Sequence, residues 1–218
     1  MFRVRHRIGD GGVVRVQVAA LIVHLGERLL LIANPATRSI QRYGAYVGRD
    51  SELLGASGVH LVAAKLCLWG WQVASTGRGA ARTDLLAQRP DGSSCAIQVK
   101  TRSSGDFHVG AKALEASPVG ADEWYVLVNC PTADKWPTFN VLPRNHLVAA
   151  ARVFDATCAA RGKSWSRKML GEQEFAGYRD AWDLIDTPAS KVRIWRMPDW
   201  VTGGLREYPQ PDLHVPVK

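Results

Sequence analysis

Several marks of large protein classes are missing from this 218-residue chain. It has four cysteines, Cys67, Cys95, Cys130 and Cys158, with no CxxC pair and no Cys/His cluster at zinc spacing. Reduced, mostly buried thiols in a cytoplasmic protein are the expectation. No uncharged apolar run reaches the roughly 18 residues that span a bilayer. The nearest approach is Val13 to Ile32, after the basic start Met1 to Arg7. Arg15, Gln17, His24, Glu27 and Arg28 interrupt it, which argues against both a signal peptide and a membrane span. Repeats, heptads, a P-loop, GxSxG and HExxH are also missing, which removes the nucleotide-binding and hydrolase classes those motifs mark. Acidic residues are scarce in residues 1–50, where Asp10, Glu27 and Asp50 stand against eight Arg and no Lys.

What is present is enough for one ordinary domain with additions. Hydrophobic residues make up 46% and charged residues 22%, so a core can form. The net charge is +8, which makes a polyanionic partner plausible. Residues 1–50 alone net +5. That section reads either as a basic arm on a phosphate backbone or as an extension without a specific role. Within it, Val14 to Val18 alternates apolar and polar, Gly26 offers a turn, and Leu29 to Ile32 reads as a second strand. A β-hairpin is expected there.

The pattern sharpens in the middle of the chain. From Ser57 to Gly70, Val59, Val62, Ala63, Leu66 and Trp69 fall at helical spacing, with Ser57 as the expected cap and Gly70 as the stop. A short strand at Trp71 to Ala74 leads into the glycine-rich, basic loop Ser75 to Arg82. The strand Thr83 to Gln88 carries Asp84 at its mouth. Arg89-Pro90-Asp91-Gly92 is a turn, and Cys95 to Thr101 is the partner strand.

Asp84, Gln98 and Lys100 are the candidate chemistry of this hairpin. Gln98 and Lys100 are two apart on one strand, so they share a face. A lysine on the apolar run Ala96-Ile97-Val99 is costly unless it has a task or a partner. One task is metal-assisted phosphodiester hydrolysis. Asp84, the Gln98 amide oxygen and the Val99 carbonyl would supply hard oxygen ligands to Mg²⁺, and Lys100 would serve the attacking water. The same three residues also fit a buried Asp–Lys ion pair with Gln98 bonding at the sheet edge.

The run from Gly58 to Lys100 resembles the PD-(D/E)xK nuclease superfamily, the restriction-endonuclease-like fold. The resemblance rests on the helix ending Leu66-Cys67-Leu68-Trp69-Gly70-Trp71, the strand Thr83-Asp84-Leu85-Leu86-Ala87, and Ile97-Gln98-Val99-Lys100-Thr101-Arg102. Ser57 to Ala64, Trp124 to Asn129 with Phe139 to Pro143, and Tyr178 to Asp183 look like a small bacterial group within it. The resemblance covers roughly residues 55–186. It implies an α/β fold with an αβββαβ core around a mixed sheet. It also implies an endonuclease hydrolysing DNA with Mg²⁺ or Mn²⁺, with a homodimer among the assemblies such a fold uses. Asp84 and Gln98 would hold the metal, and Lys100 would assist the water. Many members carry a helix glutamate facing the metal. Here that place falls on Val59 or His60, and His60 could orient a water or touch a phosphate. With one carboxylate where three acids are common, an inactive nucleic-acid-binding module on the same fold is the alternative.

The remaining sequence fits around that core. Arg78, Arg82, Arg102 and Ser103 flank the site and are candidates to grip a phosphate backbone. Phe107 to Val109 is expected to extend the sheet, and Trp124 to Asn129 reads as a strand covered on both faces. Arg144 to Ala160 is expected as a helix after Pro143. Trp165, amid Arg161, Lys163, Arg167 and Lys168, could stack on a base, although a half-buried tryptophan in a basic loop suits it better. Glu172 to Ile185 is expected as a short amphipathic helix. The division is then a basic extension at 1–54, a nuclease-like domain at 55–186, and an extended tail at 187–218 with five prolines.

Overall fold

The structure is a computed structural model. It describes residues 20–25, 28–33, 51–77, 82–131, 135–166 and 168–213. The chain divides into two compact units, Met1–Tyr46 and Val47–Lys218. In the first, β1 (Ala20–Leu25) and β2 (Arg28–Ala33) form an antiparallel hairpin with Ala20 opposite Ala33. The alternating Val14–Val18 segment lies outside the described residues.

The second unit is mixed α/β, built on a five-stranded mixed sheet with several helices. Its first helix, α1 (Ser51–Leu68), begins six residues before the expected cap. Ser57 is therefore inside the helix, and its hydroxyl donates back to Leu53 O at 2.8 Å. The stop is where the sequence placed it. Gly70 takes φ +82°, Trp71 N bonds Leu66 O at 3.2 Å, and Gly70 N bonds Cys67 O at 3.0 Å. That pair of bonds closes the last turn as a Schellman motif, and Leu66 and Trp71 are both buried beside it. By length and composition α1 could cross a membrane. It carries Glu52 and Lys65 and turns Leu54, Gly58, Val62 and Leu66 inward.

β3 (Gln72–Ser75), β4 (Leu85–Gln88) and β5 (Ser94–Arg102) form an antiparallel meander. The β4–β5 turn is the one expected. Arg89 N bonds Ser93 O at 2.7 Å, Gly92 takes φ +86°, and Asp91 Oδ1 accepts from Ser93 N at 2.9 Å. β7 (Glu123–Asn129) lies parallel to β5, and β8 (Thr138–Pro143) is antiparallel to β7. A parallel neighbour needs a crossover. Residues 103–122 supply it, and their one helical piece among the described residues is a 3-10 turn at Ala111–Leu114, where the αβββαβ order has an α-helix. α2 (Arg144–Ala160) follows β8 directly, at the bounds expected.

Three expectations change. β6 (Phe107–His108) does not join the main sheet but pairs with β9 (Met169–Leu170). The expected helix over 172–185 is two 3-10 helices, Gln173–Tyr178 and Trp182–Leu184. Residues 187–213 are not an extended tail. They include α3 (Asp199–Glu207), and Val192, Met197, Val201, Leu205 and Leu213 are buried in the same core as the sheet. At Gly204 an added Cβ would lie 2.1 Å from Val153 Cγ1, so the α3 backbone sits directly against that side chain of α2. Prolines read as extended chain because they break regular pairing. The apolar residues between them are what fold the segment back.

Candidate active site

The hairpin brings Asp84, Gln98 and Val99 together. Asp84 precedes the first residue of β4, where that strand parts from β5. Its Oδ2 accepts from Val99 N at 2.7 Å and from the Gln98 amide. Its own backbone is fixed on both sides, with Asp84 N to Ile97 O and Thr76 N to Asp84 O, each 2.9 Å. The Thr76 hydroxyl also donates to Thr83 O, which ties the loop before Asp84 to the end of β3. The carboxylate is thus held by a rigid strand end rather than by a free loop.

Strand geometry orients the neighbours. Cys95, Ile97 and Val99 are buried, while Ala96, Gln98 and Lys100 are half-buried on the other face. Ala96 N bonds Asp122 O and Cys130 N bonds Arg102 O, so even-numbered residues of β5 turn their backbone groups toward β7. Val99 therefore turns its N–H and its carbonyl toward β4. β4 begins at Leu85, opposite Ile97, so no strand residue lies opposite Val99 on that side. Asp84 Oδ1 and Gln98 Oε1 have no hydrogen bond among the described residues. These oxygens and the Val99 carbonyl are the atoms that could hold a hard cation, and oxygen donors suit Mg²⁺ or Mn²⁺. The set holds one carboxylate. Among the described residues no group of three or more His, Cys, Asp or Glu is placed to hold a metal ion.

Lys100 shares the face of Gln98, one strand repeat further on. No carboxylate lies within 4 Å of its amine among the described residues, so it forms no ion pair with Asp84. The buried-pair arrangement that the sequence also allowed is therefore not the one adopted.

The other candidates lie differently. His60 is exposed on α1. That helix meets β5 at Gly58, where an added Cβ would stand 1.8 Å from Thr101 Oγ1. Thr101 alternates with the buried Val99, so α1 covers the face opposite Gln98 and Lys100. His60 forms no hydrogen bond or ion pair with Asp84, Gln98 or Lys100. Arg82 pairs with Glu115 at 2.9 Å, and Arg102 pairs with Glu172 while lying over the Phe107 ring. Both guanidiniums are already engaged by carboxylates. Ser103 is half-buried and has no side-chain bond among the described residues. Arg78 lies outside the described residues. Trp165 is buried, its indole N–H donating to Met169 O at 3.2 Å.

Sequence reasoning missed what stands beside Arg102. Glu172 accepts from Arg102 and from Asn129 Nδ2 at 3.0 Å, 70 and 43 residues away along the chain. A cavity of about 660 Å³ opens there. The spacing Glu172–Glu174 after Gly171 was the one sequence signal available.

No family model, curated protein or solved structure matches this chain.

Proposed function

We propose that the protein is a metal-dependent endonuclease-like hydrolase of DNA phosphodiester bonds, on a restriction-endonuclease-like core. One observation carries the reading. Asp84 is locked by hydrogen bonds from Gln98 and Val99, on the strand that also carries Lys100, and among the described residues Lys100 has no ion-pair partner. A buried structural lysine would have been given a partner. A lysine one strand repeat beyond the glutamine that fixes this carboxylate is arranged for a ligand that carries negative charge. The order of β3, β4 and β5 with a parallel β7 supports the same reading, because the meander presents Asp84 and Lys100 at one strand end.

A divalent metal bound by Asp84, Gln98 and Val99 would supply Lewis-acid stabilisation of the phosphate and lower the pKa of a bound water. The chain's own residues do the rest. Asp84 is positioned by two donors, so it needs no rearrangement on binding. The Lys100 ammonium donates to the non-bridging phosphate oxygens and offsets the charge that grows on them. The Thr76–Thr83 bond and the Asp84 backbone bonds hold the loop at the site.

The test is cleavage of plasmid and of linear DNA with Mg²⁺ or Mn²⁺. The native protein should cleave, and Asp84→Ala and Lys100→Ala should not. Equal cleavage by all three would place the activity elsewhere and remove this reading. A second reading, a non-catalytic DNA-binding module, is favoured by one fact: the donor set contains a single carboxylate. DNA binding that depends on Lys100, with no cleavage under either metal, would establish it.

A further inference from the structure

We propose that Tyr125 is a further substrate-contact residue of this site, its phenol hydroxyl donating a hydrogen bond to the same backbone phosphate that Lys100 holds. This contact rests on the nucleic-acid reading above and adds a residue to it. Strand register places Tyr125 there. On β7 it stands opposite Gln98 of β5, so the two side chains leave the sheet on one face. Lys100 leaves on that face one repeat further along β5. Strands about 4.8 Å apart and a repeat of about 6.6 Å set the two backbones about 8 Å apart on the diagonal. A phosphate held between two long side chains fills such a gap.

The ring is fixed and its hydroxyl is open. Tyr125 is only 2% exposed. The buried Arg144 guanidinium lies over its ring at 5.5 Å and is itself tied to Lys112 O at 2.7 Å and to Glu115 O at 3.3 Å. A buried phenol ordinarily spends its O–H on a partner. Tyr178 does so: its hydroxyl bonds His146 Nδ1 at 2.7 Å and accepts from Arg196 N at 3.2 Å. The Tyr125 hydroxyl makes no hydrogen bond among the described residues, yet it is not one of the side-chain atoms sealed off without a partner. The tip of an otherwise enclosed side chain therefore stays open to solvent.

The surrounding charges show which way that tip faces. Arg144, Arg82, Glu123 and Asp84 all act on the phenol, so it lies toward the β4 side, where Asp84 stands. Burial is the largest influence and holds its pKa above the ordinary 10, so the proton stays on at neutral pH. The group is a neutral donor that lacks an acceptor. In the reading above, the free oxygens of Asp84 and Gln98 face a cation. The acceptor is then the phosphate, which presents separate non-bridging oxygens to the phenol and to the Lys100 ammonium.

Tyr125→Phe removes only the hydroxyl. Anisotropy titration of a labelled DNA oligonucleotide without metal, and plasmid cleavage with Mg²⁺ or Mn²⁺, read binding and turnover separately. Tyr125→Phe should lower DNA affinity or cleavage at least about tenfold, as expected for a hydrogen bond to a charged group. The melting temperature should not fall, because no bond within the protein is lost. In a Lys100→Ala background the same change should cost about threefold or less, since both residues hold one phosphate. Full additivity with Lys100→Ala, or a fall in melting temperature alongside the loss, overturns the proposal. Affinity and cleavage both unmoved, in a protein that cleaves, strike out Tyr125 and leave the hydrolase reading standing. DNA binding that depends on Tyr125, in a protein that does not cleave, retires the hydrolase reading and leaves the contact standing. A native protein that neither binds nor cleaves DNA overturns both.

Discussion

The two ends of β5 carry charged clusters of opposite construction. Before its first residue, Arg89 is almost wholly buried and saturated with partners. It pairs with Asp122 at 2.7 Å, donates to Ile185 O at 2.8 Å and to Ser93, and lies over the Trp71 ring. Asp122 is shared in turn with the Trp124 indole and Ala189 N, each at 2.8 Å. Four stretches of chain meet on one ion pair, and only Arg89 Nη2 lacks a bond. Toward the far end, Asp84 is held on one oxygen, and among the described residues Lys100 has no hydrogen bond or ion pair. A charge buried with its partners welds the fold, because separating the two costs more than either gained. A charge presented without a partner raises the energy of the empty protein and is relieved by a ligand.

That contrast can be broken by substitution. Asp122→Ala leaves Arg89 buried without its counter-charge and should cost about 3–5 kcal/mol, read as a fall in the urea midpoint. A loss below about 1 kcal/mol would mean the pair is ornamental. Lys100→Ala should do the opposite. Cleavage should drop by about 10²-fold or more with the urea midpoint unmoved. A matching loss of stability would make Lys100 a core residue and erase the distinction between the two ends. Gly58→Ala drives a methyl into Thr101 on the other face of β5 and should cost about 1–3 kcal/mol. DNA affinity at Lys100 should survive it, since α1 covers the opposite face; a selective loss of affinity would place helix and site on the same side.

The smallest expected effect is in acid. Ser93 hydrogen bonds, side chain and backbone, hold the Asp91 carboxyl below its ordinary 3.8. The folded state then binds that proton less readily than the unfolded one. The contribution is full above the ordinary value and is lost as pH falls through it and below. Asp91→Asn should flatten the acid limb of the stability curve slightly. An unchanged limb would show that the turn, exposed as it is, adds nothing.

The hairpin, and the meeting of Asp84 with Gln98 and Val99 on it, were readable in advance because they are local. Arg89 to Gly92 forms its turn from its own residues, and strand alternation places Gln98 beside Lys100 on one face. Asp84 is 14 residues from Gln98, and a tight turn between them leaves one register. α2 was also readable, since Pro143 starts it and its apolar stripe runs unbroken. The partners of the arginines were not. Arg82 and Arg102 looked free to hold phosphate, and their acids, Glu115 and Glu172, lie 33 and 70 residues further on. The buried His146 is another case. It bonds Tyr178 OH at 2.7 Å, and burial pushes its pKa down to about 3, so it stays neutral. Nothing in the local sequence marked it.

Local chemistry by itself determined the β4–β5 hairpin, its turn and the set of atoms that meet at Asp84, since each depends on residues within about twenty of one another. Tertiary structure alone decided which charges are spent and which are open. A guanidinium, a carboxylate or an amine looks the same in sequence whether it is paired or not. Only packing brings Glu172 to Arg102 and Asp122 to Arg89, and leaves Lys100 without an acid among the described residues. The same packing folds residues 187–213 back onto the core, because burying Val201, Leu205 and Leu213 outweighs the extended habit of the prolines around them.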